Sequence, residues 1–339
     1  MMEEVSNILS QYQMEPEFAE QITQNLLKVY TKHGVFGLKK MKENRNYYFP
    51  ELLGELQQKG FSDLVPVYQN QAGSYLTPVN QQYYYLMPWF QDEQEEERDS
   101  KHDYFFKEIA LLHGRTLKEV SFTAKDSELH HERLTKKWNK DIYDYERFVE
   151  KCEKQWYLSP FELQAVTYYM EVSRASEFAR EKLNEWKEEM AEKENGRMVL
   201  NHGRLSIRHF IYDRDGKPYL TNFEKAHYSN PIDDMLQFFA RTFKTYPIRC
   251  DECVDWFYSY QRQFPYSKEE TSLFLSYLAY PEPILQSIRS YAEKQERRSE
   301  LDYNRGLMQA YWTFKNVEYF VMRVTEIENQ KKMAQNAST

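Results

Sequence analysis

The spacing of hydrophobic and polar positions changes near residue 90 of this 339-residue chain. Before that point, LLKVYTKHGVFGLKKMK at 26–42 alternates in short runs around His33-Gly34, which predicts two strands joined by a turn. After that point, apolar residues recur every three to four positions over long segments, which is typical of amphipathic helices. The pattern predicts a small strand-rich part followed by a large helical part.

The small part also contains a helical segment. In NYYFPELLGELQQKGF, Leu52, Leu53 and Leu56 fall on one face of a helix, and Gly60 is a typical C-terminal stop. The segment DLVPVYQNQAGSYLTPVNQQYYYLMPWF then predicts further short strands, with a turn at NQAGS. The first ninety residues therefore predict a small sheet that carries one helix.

The large part begins after the charge-dense connector QDEQEEERDSKHD. Three long segments with helical spacing follow, within 104–117, 134–156 and 160–196. Short strands interrupt the helices at 199–235, and helix is expected again from about Pro231 to Gln330. The sequence thus predicts one domain at 1–89 and a second, helical domain at 90–339.

Charge and hydropathy exclude several kinds of partner. The net charge is −8 and the isoelectric point is near 5.7, so the surface as a whole does not attract nucleic acid or an anionic membrane. The longest weakly charged run, TSLFLSYLAYPEPILQSI, is too short to span a bilayer and is broken by Pro281 and Pro283. The N-terminus has no apolar core followed by a cleavage site, so we expect no signal peptide and synthesis in a cytosol.

Three cysteines, Cys152, Cys250 and Cys253, are too few for a disulfide framework. The segment RCDEC has the C-x-x-C spacing of a redox pair or of half a zinc site. No second C-x-x-C or H-x-x-H segment completes four zinc ligands, and no strand precedes the pair as in thioredoxin-like motifs. We interpret the pair as two half-buried thiols near the start of a helix.

The segment HGRLSIRHFIYDRDGKPYLTNFEKAHY resembles two loops of the aminoglycoside-phosphotransferase-like kinases, H-G-D-x-x-x-x-N and D-F-D/E. In that family the first Asp orients and deprotonates the acceptor hydroxyl, while the Asn and the second Asp hold Mg²⁺ ions. His202 and Gly203 keep their places here, as do Phe223 and Glu224. The resemblance implies an α+β, protein-kinase-like bilobal fold, with a small β-rich N-lobe at 1–89 and a large helical C-lobe at 90–339 that contains both loops at 199–235.

The three positions that carry the chemistry differ from the family. Arg204 occupies the position of the base, His209 replaces the Asn, and Asn222 replaces the metal-binding Asp. A guanidinium has no acceptor and cannot deprotonate a hydroxyl, and loss of a general base costs about two to four orders of magnitude in rate. His209 and Asn222 together remove oxygen ligands that Mg²⁺ prefers, and Glu224 alone is a poor cage. We therefore expect no intact catalytic residue, no metal site and no cofactor.

The small part contains one candidate phosphate-binding lysine. GLK at 37–39 matches the A-x-K of the family's phosphate-binding strand, so Lys39 is a vestigial cofactor-binding residue or simply a surface lysine within KKMK. Its partner in a helix would be Glu51 or Glu55, and the sequence does not choose between them. The upstream loop, ITQNLLKVY, contains no glycine, so its side chains would block the close approach of phosphates to the backbone.

Two further positions match structural residues of the family. Asp234 in NPIDDM lies where the family tethers the catalytic loop, although an acid at a helix N-terminus is an alternative. His113 in EIALLHGRT is interpreted as a buried, hydrogen-bonded helix residue. The residues expected to hold the loops in shape are His202, Gly203, Phe223, Glu224 and Asp234.

Within that superfamily, several segments resemble the spore coat proteins of the CotS/YutH group. They are ILSQYQMEP, GVFGLKKMK, LQQKGFSDLVPVY, YYYLMPWF, EIALLHGRT, HGRLSIRHF and EETSLFLSYLAYPEPIL, spread over the whole chain. The resemblance implies synthesis in the mother cell of an endospore-forming bacterium, deposition in the spore coat, and other coat proteins as partners.

The sequence favours a catalytically inactive kinase-like protein, a pseudokinase, that serves as a structural or assembly component of the coat. One alternative is an active ATP-dependent phosphotransferase for a small molecule, of the aminoglycoside or choline kinase type. Another is a nucleotide sensor that binds through Lys39 without chemistry.

Overall fold

A computed structural model describes residues 2–41, 48–90, 98–213, 215–245, 249–293 and 298–337. In chain order its helices and strands are α1 (Met2–Ser10), β1 (Pro16–Thr23), β2 (Leu26–Thr31), β3 (Gly34–Lys40), α2 (Phe49–Gln58), β4 (Thr77–Val79), β5 (Gln82–Pro88), α3 (Arg98–Thr116), β6 (Lys118–Ser121), α4 (Ala124–Glu153), α5 (Pro160–Met190), β7 (Asn195–Asn201), β8 (Phe210–Tyr212), β9 (Pro218–Leu220), β10 (His227–Ser229), α6 (Ile232–Thr242), α7 (Asp251–Gln263), α8 (Lys268–Ala279), α9 (Glu282–Glu293) and α10 (Glu300–Ala337).

The chain divides into two compact units. Unit 1 comprises Met1–Glu108, Leu112–Thr116 and Leu200–Ser229, and unit 2 comprises Ile109–Leu111, Leu117–Val199 and Asn230–Thr339. This division differs from the boundary expected after residue 89, because the segment Leu200–Ser229 belongs to unit 1 together with the sheet.

Unit 1 contains a five-stranded antiparallel sheet in the order β1-β2-β3-β5-β4. The strands β2 and β3 and their turn lie where the alternating pattern predicts them. Helix α1 and strand β1 were not predicted. The sheet and α1 share a hydrophobic core that includes Val5, Ile8, Leu9, Val29, Phe36, Leu38 and Leu86.

Helix α2 ends as its sequence predicts. Leu53 and Leu56 are buried and Leu52 is half-buried. Gly60 has a φ of +79°, and the amides of Gly60 and Phe61 donate to the carbonyls of Gln57 and Leu56. This left-handed glycine satisfies carbonyls at the end of the helix, so the predicted stop is confirmed.

Unit 2 is built from long helices. Capping boxes begin α4 at Thr123 and α5 at Ser159, since each hydroxyl accepts from a backbone amide in the first turn. Strands β6 and β7 pair antiparallel beside them. Buried Asp141 of α4 accepts from the Tyr280 hydroxyl at 3.0 Å and forms an ion pair with Arg289 of α9.

The helical region expected from about Pro231 to Gln330 consists of separate helices, α6 to α10, within the residues that the structure describes. One break falls between α8 and α9, at Tyr280 and Pro281, because a proline removes a backbone donor and disfavours helix for the residue before it. Among the described residues, we find no helix with the length and apolar character needed to cross a membrane.

Candidate functional site

The two loops that resemble kinase loops approach each other at Gly203. This glycine has a φ of +72°, and a Cβ atom built on it would lie 2.1 Å from the carbonyl oxygen of Lys225. Glycine is therefore required here both by its backbone conformation and by the space available. The close approach brings the segment that follows β7 against the segment 222–225.

The imidazole of His202 joins the same two segments. Its Nε2 lies 2.7 Å from the carbonyl oxygen of Thr221, and its Nδ1 lies 3.2 Å from the backbone nitrogen of Arg204. A carbonyl can only accept and a backbone amide can only donate, so this geometry assigns the proton to Nε2. The His202 ring also lies against the ring of buried Phe223, with centroids 4.8 Å apart.

Asn222 and Glu224 follow in a tight turn. Asn222 has a left-handed backbone, with φ 69° and ψ 41°, a conformation that Asn adopts more readily than most residues. Phe223–Lys225 form a short 3-10 turn after it. The Asn222 amide and the Glu224 carboxylate both contact the ammonium group of Lys39 on β3.

Lys39, Glu224 and Tyr85 form a buried polar cluster. Lys39 Nζ lies 2.5 Å from Glu224 Oε1, and the two side chains are 16% and 13% exposed. The Tyr85 hydroxyl donates to the same Oε1 at 2.7 Å, from a position opposite Lys39 in the β3–β5 register. The carboxylate of Glu224 is thus held by two donors.

The pKa values in this cluster follow from its contacts. Burial raises the pKa of Glu224, but the ammonium of Lys39 and the hydrogen bonds from Lys39 and Tyr85 outweigh burial, so the pKa lies below 4.5. Burial, together with the Glu224 charge, raises the pKa of Tyr85 well above 10. Glu224 is therefore ionised and Tyr85 is protonated at neutral pH.

Lys39 pairs with neither of the two carboxylates that the sequence suggested. Glu51 and Glu55 were the candidates on α2, and both side chains are exposed to solvent. Among the described residues, the ion pair of Lys39 is with Glu224. Sequence analysis missed the role of Tyr85, which is one tyrosine in the run YYY. The only signal for it was the alternation of β5, which places Tyr85 on the opposite face from its two neighbours.

Arg204 and His209 lie near Lys39, Asn222 and Glu224. Arg204 is exposed, and the half-buried His209 ring stacks on His202 with centroids 5.4 Å apart. Burial, together with the nearby His202 ring and the charges of Lys39 and Arg204, lowers the pKa of His209 to about 3. His209 is therefore a neutral imidazole and a very weak base at physiological pH.

Lys39, Arg204, His209, Asn222 and Glu224 line a cavity of about 370 Å³ in unit 1. The hairpin turn between β1 and β2 forms one wall, where the side chains of Gln24 and Asn25 stand in place of glycine. Among the described residues, the charged groups of the lining are one carboxylate and four cations, namely Glu224, Lys39, Lys40, Arg204 and Lys225. The cavity is therefore cationic, although the whole protein has a net charge of −8.

The cavity has few ligands for a metal ion. Within the residues described, no cluster of three or more His, Cys, Asp or Glu side chains could hold one. Glu224 is the only described carboxylate in the lining, and it is already paired with Lys39.

Two further predicted residues lie on helices outside the two loops. Asp234 belongs to unit 2, where it is buried in the first turn of α6, a position favourable to a carboxylate because of the helix dipole. His113 is buried in α3. The structure therefore brings together Lys39, His202, Gly203, Arg204, His209, Asn222, Phe223 and Glu224 within unit 1.

Three solved structures with a similar fold are named as phosphotransferases or kinases. The chain is similar to an aminoglycoside phosphotransferase from Alicyclobacillus acidocaldarius, with 14% identity, 94% of this chain and 96% of that chain covered, and a TM-score of 0.66. It is also similar to AMP-bound spectinomycin phosphotransferase APH(9)-Ia, at 10% identity, 94% and 98% coverage and a TM-score of 0.56. The microcompartment-associated aminopropanol kinase matches at 11% identity, 94% and 97% coverage and a TM-score of 0.54.

No protein-family model and no curated protein matches the chain by sequence. At such low identities, the structural likeness concerns the fold alone. It confirms the predicted fold class, a small antiparallel sheet followed by a large helical part. The chain therefore has a protein-kinase-like fold of the aminoglycoside phosphotransferase type.

Proposed function

We propose that this protein is a pseudokinase, which keeps the phosphotransferase fold but does not transfer phosphate. The observation that carries the proposal is the described part of the cavity lining, where one carboxylate, Glu224, is already bound to Lys39 and Tyr85. In phosphoryl transfer the protein mainly positions the reactants and neutralises charge through metal ions. A site whose described carboxylate already accepts from Lys39 and Tyr85 is poorly suited to holding such metal ions.

The residues present do not fit Mg²⁺. This ion requires near-octahedral oxygen coordination and is usually bound through one or two carboxylates. The Glu224 carboxylate accepts from Lys39 and Tyr85, and the Asn222 amide oxygen accepts from Lys39. A metal bound at Glu224 Oε1 or at Asn222 Oδ1 would compete with the ammonium of Lys39 for that oxygen. We therefore derive no reaction step through a metal ion.

The side chains at the position of the base and at the position of the family's Asn also support the proposal. The guanidinium of Arg204 has no acceptor for a proton. His209 can accept a proton in principle, but its pKa of about 3 makes it a poor match for general base catalysis near pH 7. Neither side chain can replace a catalytic carboxylate.

An assay of phosphoryl transfer tests this part of the proposal. Purified protein is incubated with labelled ATP, Mg²⁺ and a panel of hydroxylated and aminated acceptors, beside the variant Arg204→Asp/His209→Asn/Asn222→Asp. We expect no turnover above background from the wild type and no efficient turnover from the triple variant, because the turn between β1 and β2 still contains no glycine.

The activity of the structural neighbours favours the alternative, an active phosphotransferase. That alternative is supported if wild-type protein turns over ATP in a Mg²⁺-dependent manner and Lys39→Met abolishes the activity. The Lys39→Met control distinguishes turnover at this site from a contaminating ATPase.

The cationic lining favours one further candidate, a sensor that binds a nucleotide without chemistry. Four cations against one carboxylate attract phosphate groups even without a metal. Equilibrium dialysis with ATP in the presence of EDTA tests this candidate. Saturable binding that weakens in Arg204→Ala supports a sensor. Absence of ATP binding in EDTA would rule out the sensor.

We further propose that the protein acts in the coat of bacterial endospores, as a structural or assembly component that contacts other coat proteins. This part rests on the resemblance of segments such as GVFGLKKMK and HGRLSIRHF to the CotS/YutH group. The test is fractionation of spores that express a tagged chain, followed by cross-linking and mass spectrometry. We expect the chain in the coat extract, cross-linked to coat proteins. Recovery only in the mother-cell lysate would refute a role in the coat.

A further inference from the structure

Two cysteines lie side by side at the start of α7 in unit 2. Cys250 immediately precedes the helix, and Cys253 lies in its first turn. Their sulfur atoms are 2.9 Å apart. Cys253 is fully buried, whereas Cys250 is half-buried and within reach of a small molecule.

This arrangement is suited to disulfide formation. Residues three apart on a helix face the same side, and a disulfide requires a sulfur separation of about 2.05 Å, so a shift of less than about 1 Å would join the two sulfurs. The amide groups at a helix N-terminus also stabilise a thiolate, which is the reactive form in thiol–disulfide exchange.

The third cysteine offers a contrast within the same unit. Cys152 is buried in α4, and burial together with the Glu162 charge raises the pKa of its thiol to about 11. A thiol with such a pKa is almost entirely protonated at neutral pH and reacts slowly. Cys152 therefore serves as an internal reference for an unreactive thiol.

A zinc site is a weaker explanation of the pair. Structural zinc needs four ligands, usually cysteine and histidine. Across the described ranges, no third His, Cys, Asp or Glu completes a metal-binding group with these two cysteines.

We propose that Cys250 and Cys253 form a reversible dithiol–disulfide couple, oxidised by low-molecular-weight disulfides. The Cys250 thiolate attacks one sulfur of the small disulfide, forms a mixed disulfide and releases one thiolate. The Cys253 thiolate then attacks Cys250 Sγ, closes the protein disulfide and releases the second thiolate. The two protons lost by the protein thiols leave on the two released small thiols, and a dithiol reductant reverses the sequence.

Thiol counting on the full-length protein tests the proposal. The chain is equilibrated with oxidised glutathione, quenched with acid, unfolded and titrated with a thiol reagent, and peptide masses locate the links. The reduced chain has three thiols. We expect the oxidised chain to have one, with an intramolecular link between Cys250 and Cys253, and dithiothreitol to restore all three.

Single substitutions separate the two steps. Cys253→Ser should stop at a glutathione adduct on Cys250, and Cys250→Ser should leave the buried Cys253 unmodified under native conditions. Cys152→Ser should lose two thiols on oxidation, as the wild type does. A stable glutathione adduct on wild-type Cys250, a disulfide-linked dimer, or three remaining thiols after oxidation would each overturn the proposal.

Discussion

Gly203 allows two backbone segments of the candidate site to pass close to each other. It has a φ of +72°, and any Cβ atom would collide with the Lys225 carbonyl. We expect Gly203→Ala to lower the free energy of unfolding by about 2–4 kcal/mol, because a left-handed backbone costs about 1 kcal/mol for Ala and the clash requires backbone movement. Urea unfolding followed by fluorescence measures the change.

Gly306→Ala is the matched control for Gly203→Ala. Gly306 lies within α10, and a Cβ atom there would meet nothing within 4 Å. Alanine should stabilise the helix by about 0.5–1 kcal/mol. Equal effects of the two substitutions would contradict the close approach at Gly203.

The side chains of Lys39 and Glu224 are largely buried, so removal of one of them takes away a charge that stabilises the other. We expect Lys39→Met or Glu224→Leu alone to lower the free energy of unfolding by about 3–5 kcal/mol, and the double variant to be more stable than either single variant. Chemical denaturation of all four proteins gives the coupling energy.

The exposed pair of Lys140 and Asp144 is the control for this cycle, since its side chains are 71% and 46% exposed. Asp144→Asn should change stability by less than about 0.5 kcal/mol. Additive losses in the Lys39/Glu224 cycle would show that the two groups do not interact.

His209 makes stability depend on pH. Its pKa is about 3 in the folded state against an ordinary value of 6.5, so the unfolded state binds a proton that the folded state does not. Its contribution to stability is therefore present above pH 6.5 and is lost progressively as the pH falls towards 3. Between pH 7 and pH 5 the wild type should lose up to about 2 kcal/mol more than His209→Asn. Equal losses of stability in the wild type and in His209→Asn would contradict this explanation.

At the residue scale, the sequence predicted part of this site. The motif spacing assigned Arg204, His209 and Asn222 to one site, because a family pattern fixes their places even where the residue types differ. It could not predict that Glu224 pairs with Lys39, since that contact depends on how the turn 222–225 packs on β3.

Helix α5 illustrates what an individual element contributes. The Ser159 hydroxyl accepts from the Glu162 amide, the Glu162 carboxylate accepts from the Ser159 amide, and the Tyr291 hydroxyl lies 3.0 Å from the Ser159 oxygen. We expect Ser159→Ala to destabilise the protein by about 1 kcal/mol, because the cap is lost. Thermal unfolding measured by circular dichroism reports the loss.

Ser287→Ala is the control for the cap. This half-buried serine lies inside α9, and its hydroxyl donates to the carbonyl of Pro283 in the same helix. Its replacement should change stability by less than about 0.5 kcal/mol. A cap effect no larger than this would mean that Ser159 does not help to begin α5.

The elements differ in how well the sequence predicted them. Strands β2 and β3 and helix α2 have apolar positions at regular spacing, which gives a clear periodic signal. The sequence of strand β1, PEFAEQIT, has no regular alternation of apolar and polar positions, and Ala19 is its single buried residue. Pairing with β2 stabilises β1 through backbone hydrogen bonds, which leave no trace in side-chain pattern.

At the scale of the whole molecule, the order of sheet and helices predicted the fold, whereas the compact units did not follow the predicted boundary. The segment Leu200–Ser229 lies far from the sheet in sequence but belongs to unit 1. Contacts such as that of Glu224 with Lys39 and Tyr85 join this segment to the sheet. The periodicity of apolar residues along the chain has no information about such contacts.

A thermal-shift titration tests the proposal that the cavity does not bind ATP in a metal-dependent manner. The protein is melted in buffer, in Mg²⁺ alone, in ATP with EDTA, and in ATP with Mg²⁺. A ligand at 100 times its dissociation constant stabilises the folded state by about 2.7 kcal/mol, which raises the melting temperature by several degrees. We predict that Mg²⁺ adds nothing to any effect of ATP. A melting temperature several degrees higher with ATP and Mg²⁺ than with ATP and EDTA would contradict the account.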